Sequence, residues 1–230
     1  MDGSSIASAP PSNSTTTLLA RPRLRGVSHE VAFFASLPLG IALGLTTHSP
    51  AGRVAAIAYA ATVAFMLGAS GFYHRITWSS RKWRMRMRRV DHAGVYALIA
   101  GSYTPVGLLV LHGSWRVVVL AIVWSGTAVA ILFKTIWITS PKWLAAAIAI
   151  LLGWVGVVAL PQVATHAGLT ACLLIVGGGL AYTAGGLVYA LRRPNPVPTL
   201  FGYHELFHAL VLVAVGLQYS AIAFYILPGH

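Results

Sequence analysis

Acidic residues are scarce in this chain. Only 4 of its 230 residues are Asp or Glu, and all charged residues together amount to 9%. A soluble domain carries roughly 25%, so the chain lacks the means to cover a surface facing water. Cysteine occurs once, at Cys172, which excludes an intrachain disulfide. The first residues, MDGSSIASAPPSNSTTTLLA, lack the basic-then-apolar order of a cleaved signal peptide. No internal repeat stands out.

What the chain has is apolar sequence, 57% of it. Seven runs, at about 30–47, 54–76, 91–111, 116–137, 142–161, 169–191 and 203–227, approach or exceed the roughly 20 residues of a bilayer-crossing helix. The expectation is an all-α integral membrane protein, a seven-transmembrane helix bundle. It would be a multi-pass protein of the cell membrane. Residues 1–26, rich in Ser, Thr and Pro, read as a disordered cytoplasmic tail. Residues 27–230 form the transmembrane domain.

A net charge of +12 raises nucleic acid as a partner, but the placement of the charge argues against it. Of the 16 Lys and Arg, all except Arg53 and Arg116 fall on one side of the expected spans. By the positive-inside rule the N-terminus is cytoplasmic and the C-terminus external. Half of that basic cluster is Arg75 with the segment RKWRMRMRR, in the loop at 78–90. Two readings stand for this segment: a short interfacial helix resting on anionic lipid, with Trp83, Met87 and Val90 on one face, or a solvated basic loop. The run GGGLAYTAGG places Gly178, Tyr182 and Gly185 near one helical stripe. Small residues let membrane helices approach closely, so packing rather than a substrate groove is expected there.

Polar residues inside membrane helices are costly and mark function. Glu30, Asp91 and Glu205 open the first, third and seventh runs, and His29, His74, His92, His204 and His208 sit at that same side. Ser70 and His74, four apart, share a face at the end of the second run, and His204 and His208 do so at the start of the seventh. Three imidazoles with one open position match the ligand count of a catalytic zinc. A nearby carboxylate and hydroxyl, Asp91 and Ser70, suit the orienting of ligands and water. His92 lies on a different face from Asp91 and reads as an interface residue. His29 and Glu30 read as caps of the first helix or partners of Arg.

The stretch His204-Glu205-Leu206-Phe207-His208 is also a literal H-E-x-x-H, the pattern of soluble zinc proteases. Two facts oppose that reading. No acid follows Glu205, and the only later histidine is His230, at the far side. Glu205 is also turned about 100° from the line joining His204 and His208. The third ligand must come from upstream, and His74 is the candidate at matching depth.

S-x-x-x-H closing the second run, D-H opening the third as DHAGVYALIAGSYTP, and H-x-x-x-H opening the seventh as FGYHELFH closely resemble the hemolysin III family. That family is the bacterial branch of the progestin and adipoQ receptor family, which is related to the alkaline ceramidases. The resemblance covers about residues 25–227. It implies Zn2+ held by His74, His204 and His208, with Ser70 and Asp91 around the zinc-bound water. One departure is Gln218, near the place where many relatives carry a further His. Three functions then stand. The first is hydrolysis of a lipid amide or ester, with membrane lipid as substrate and Asp91 and Ser70 as catalytic residues. The others are a non-enzymatic membrane-homeostasis or receptor-like protein with structural zinc, and a pore-forming cytolysin. No polar stripe runs from face to face of the expected helices, which counts against the pore.

Overall fold

The structure, a computed structural model, describes residues 22–228. The expected tail therefore lies outside the described residues as far as Arg21, and so does His230. In chain order the helices are α1 (Val27–Leu45), α2 (Pro50–Arg75), α3 (Arg81–Pro105), α4 (Gly113–Ile136), α5 (Lys142–Trp154), α6 (Leu160–Leu191) and α7 (Tyr203–Ala221). The π-helical turns Val106–Val110 and Ile222–Ile226 prolong α3 and α7. Among the described residues the only β pairing is one isolated bridge between Val197 and Phe201.

Among the described residues six helical stretches are long and apolar enough to cross a membrane: Val27–Leu45, Pro50–Arg75, Arg81–Val110, Gly113–Ile136, Lys142–Leu191 and Tyr203–Ile226. The chain is an all-helical, multi-pass membrane protein. The fifth stretch holds 50 residues. As one straight helix it would be about 75 Å long, more than twice the roughly 30 Å of bilayer hydrocarbon. It does not run straight. A 3₁₀ turn, Val155–Ala159, follows α5, and Gly168 breaks α6 with φ 84° and ψ 168°, a backbone region that favours glycine. Beyond Gly168 the chain packs back along α5. Trp154 Nε1 donates to Thr183 Oγ1 at 2.9 Å, and a Cβ on Gly186 would lie 3.0 Å from Ile150 Cδ1.

Local sequence explains the helix starts. Pro50 occupies the first turn of α2, where its missing N–H costs nothing, and the Ser49 hydroxyl accepts from Gly52 N at 2.9 Å. The basic segment is not a loop: α3 is already helical from Arg81, and Asp91 lies almost three turns inside it. Arg, Lys and Met are good helix formers, so nothing in RKWRMRMRR ends a helix. Arg86 stacks its guanidinium over the Trp83 ring at 4.7 Å.

The inner helices are α2 and α3. Tyr59, Met66 and Leu67 of α2 and Leu98 and Ala100 of α3 are at most 3% exposed, whereas Val31, Phe34 and Ile41 of α1 are at least 63% exposed. Apolar side chains on an outer face suit lipid. Lipid tails also remove the hydrophobic drive for helix association, so close packing and buried polar contacts hold such a bundle together.

Candidate metal centre

Three helix ends meet at the same level. The start of α1 touches the end of α2 backbone to backbone: a Cβ on Gly71 would lie 3.1 Å from Glu30 Cα. Gly26, at φ 80°, turns the chain into α1 so tightly that a Cβ there would sit 2.5 Å from His74 Cβ. Only glycine supplies both that backbone angle and that space. The start of α7 is fixed by Glu205, which accepts from Gly202 N at 2.9 Å and pairs with Arg25. Just before α1, Arg23 N and Leu24 N donate to Thr199 O and Leu200 O, strapping the chain across the α6–α7 connection.

Inside this frame His74, His204 and His208 come together, with one possible ligand atom from each lying within 4.8 Å of the others. His74 Nε2 and His204 Nε2 are 3.1 Å apart. A tetrahedral ion with Zn–N bonds of about 2.0–2.1 Å holds its nitrogens roughly 3.3 Å apart, so this pair fits such an ion closely. The Nδ1 atoms of His204 and His208 are buried and have no protein partner. The residues present therefore suit a metal ion, each of the three rings offering one nitrogen to a common centre.

Asp91 and Ser70 flank the cluster. Asp91 Oδ2 is 3.9 Å from His74 Nε2 and 3.6 Å from His92 Nδ1, and the residue is 9% exposed. His92 Nδ1 lies 2.8 Å from the Arg88 carbonyl, and the residue lines the same cavity as Asp91. Ser70 Oγ lies 2.9 Å from His29 Nδ1. His29 in turn stacks flat on His208, with ring centroids 3.8 Å apart and planes 8° apart. His29 is thus a fourth histidine of the cluster. Sequence suggests a helix cap or an Arg partner, and that role falls instead to its neighbour: Glu30 pairs with Arg75 at 2.7 Å. Because Glu30 anchors α1 to the residue following His74, His29 is turned inward onto Ser70.

Glu205 stands apart from the three histidines, bound to Arg25 and to the start of its own helix. The H-E-x-x-H pattern delivers its two imidazoles to the cluster and its carboxylate elsewhere. A cavity of about 210 Å³ opens from the cluster, lined by His29, Ser70, Asp91, His204 and His208 at one end. Its walls are apolar side chains of α2, α3, α5, α6 and α7, and it reaches Gln218 and Ile222.

A multi-pass helical membrane protein with a buried cluster of histidines at converging helix ends is the class that fold and site define. Comparison with known proteins makes it specific. The chain matches the family described as haemolysin-III related over residues 18–219, and it belongs to that family. It is 30% identical to the hemolysin-3 homolog of Bacillus subtilis (strain 168) over 157 residues, 68% of this chain and 70% of that one. Identity with Hemolysin-3 of Bacillus cereus is 28% over 139 residues, 60% of this chain. That match spans 61% of the Bacillus cereus protein's length. The Heptahelical transmembrane protein ADIPOR2 of Oryza sativa subsp. japonica is 31% identical over 171 residues, 68% of this chain and 75% of the plant protein. The resemblance drawn from the three motifs is therefore shown, adipoQ-receptor side included.

Proposed function

We propose that this protein is a metal-dependent hydrolase of a membrane lipid amide or ester, with Zn2+ held by His74, His204 and His208. One observation carries the reading: the histidine cluster, with Asp91 and Ser70 beside it, stands at one end of a long apolar cavity. An acyl chain fits the apolar walls and would bring its carbonyl to the polar end. Zinc, when bound, supplies a Lewis acid that polarises a carbonyl and acidifies water. The remaining steps belong to the chain's own residues. Asp91 takes the proton from the attacking water, a role that needs hydrogen-bond reach to that water. Ser70 steadies the developing oxyanion. When His29 Nδ1 carries its proton it donates to Ser70 Oγ, which leaves the serine hydroxyl hydrogen free to point at the substrate.

The same reading takes the chain through the membrane seven times, with α5 and α6 as separate crossings. The doubling back of Lys142–Leu191 supports it, and the plant relative is itself named heptahelical. The site then faces the cytoplasmic leaflet of the bacterial inner membrane, with the N-terminus inside and the C-terminus outside. The basic first turns of α3 lie against anionic headgroups there.

The deciding experiment measures fatty-acid release from ceramide-like and ester lipids by purified protein, with zinc occupancy determined on the same samples. Asp91→Asn is expected to keep zinc and lose at least about 100-fold in turnover. Ser70→Ala is expected to cost less. Equal background release from zinc-loaded wild type and Asp91→Asn across the panel would defeat the hydrolase reading and leave a structural metal.

A further inference from the structure

The cavity has a second polar place, deep among apolar side chains. Gln218 lies ten residues beyond His208 on α7, which is about 15 Å farther along the helix. Tyr182 reaches the same cavity from α6. The register of the two helices sets its level. Gly185 packs on Leu210 and Phe207, while Gly178 packs on the Gln218 side chain, and Tyr182 stands between these two glycines. Both side chains present a buried polar atom, Tyr182 Oη and Gln218 Oε1, without a protein hydrogen-bond partner.

Other hydroxyls along the cavity behave differently. Tyr96 donates to Ala145 O at 3.2 Å, Ser102 to Ile99 O at 2.9 Å, and Thr183 to Gly179 O at 2.8 Å. The fold satisfies these and leaves the Tyr182 and Gln218 atoms without a protein partner, on residues that line the cavity. A buried polar atom left unpaired costs roughly 1–3 kcal/mol, and a buried tyrosine hydroxyl usually finds a partner. A phenol that donates and an amide oxygen that accepts are together complementary to a hydroxyl, which does both.

We propose that Tyr182 and Gln218 form a specificity station for an oxygen-bearing acyl chain, a hydroxylated fatty acyl group whose hydroxyl lies about a dozen carbons from the carbonyl. This rests on the reading of the cavity as an acyl-chain site and sharpens its substrate class. The spacing follows from the helix: about 15 Å from His208 to Gln218 corresponds to roughly a dozen methylenes of an extended chain. A plain alkyl chain would leave both polar atoms unpaired, and sites built to hydrogen-bond a hydroxyl reject analogues that lack it.

The test is a binding titration on the full-length protein in lipid nanodiscs, with stearic acid and its 6-, 12- and 16-hydroxy forms as probes. The 12-hydroxy acid is expected to bind about tenfold more tightly than stearic acid, and the 6- and 16-hydroxy acids are expected to gain little. Tyr182→Phe and Gln218→Leu are expected to remove that preference while keeping affinity for stearic acid. Should either variant fail to fold, the positional series on wild type still decides. If the four acids bind wild type equally well, the station is overturned, the pair being merely hydrated, while the acyl-chain reading survives. If none of them binds, the acyl-chain reading itself falls.

Discussion

Histidines gather at both ends of this bundle, and the two gatherings differ. Beyond the end of α3 and near the start of α6, His112 and His166 stack with ring centroids 4.7 Å apart. Both are exposed, and both are tied to one residue: His112 N donates to Gln162 Oε1 at 3.0 Å, and His166 Nδ1 lies 2.8 Å from Gln162 O. At the opposite end His29 of α1 and His204 and His208 of α7 are 2–9% exposed and keep ring nitrogens without protein partners. Residue type and ring proximity are similar in the two places. What separates them is competition from solvent. An exposed imidazole is already hydrated, whereas a buried ring nitrogen without a protein partner gains strongly from an ion.

The sharpest way to break this contrast is to remove a ligand. His208→Ala is expected to lower zinc occupancy at least tenfold and to lower Tm with it, since an ion bound only to the folded state adds to its stability. Metal analysis and thermal unfolding of the same preparation would show both. A smaller effect is expected from Glu205→Gln. Its carboxylate caps α7 and pairs with Arg25 rather than facing the three histidines. Zinc should stay, and stability should fall by about 1–3 kcal/mol in a denaturation series. Loss of zinc in this variant would restore the protease-like reading of H-E-x-x-H. The smallest effect should come from the exposed pair, His112 and His166. With His112→Ala and His166→Ala combined, zinc occupancy should be unchanged and stability should move by no more than about 0.5 kcal/mol. A drop in zinc matching that of His208→Ala would erase the distinction between the two ends.

Much of the inner cluster was legible from spacing, because two residues four apart on a helix share a face whatever surrounds them. Ser70 with His74, and His204 with His208, are such pairs, and both are found at the cluster. The exclusion of Glu205 was legible for the same reason, being a matter of helical angle. His29 was not. Its place depends on how α1 rotates against α2, and that rotation is set by Glu30 meeting Arg75 and by Gly71 allowing backbone contact. Both are pairings between helices that no local pattern encodes. The start of α3 was missed for another reason. Charge marks where a span leaves the hydrocarbon, but a helix continues through Arg and Lys as readily as through Leu. Hydropathy therefore locates the membrane boundary rather than the helix boundary.

The strap before α1 has a consequence for how the protein is made. Arg23 and Leu24 bond to Thr199 and Leu200, and Arg25 pairs with Glu205 across 180 positions of sequence. A chain is synthesised from its N-terminus at about 5–20 residues per second, so Asp91 and His74 enter the membrane long before α7 exists. During that interval their polar groups have neither His204 nor His208 beside them. The cluster cannot close until the last helix arrives. Docking the strap, with the loading of any ion the cluster holds, is then the final act of assembly, and a chain that stalls before residue 203 would leave a carboxylate and an imidazole stranded without their partners, a ready mark for membrane quality control.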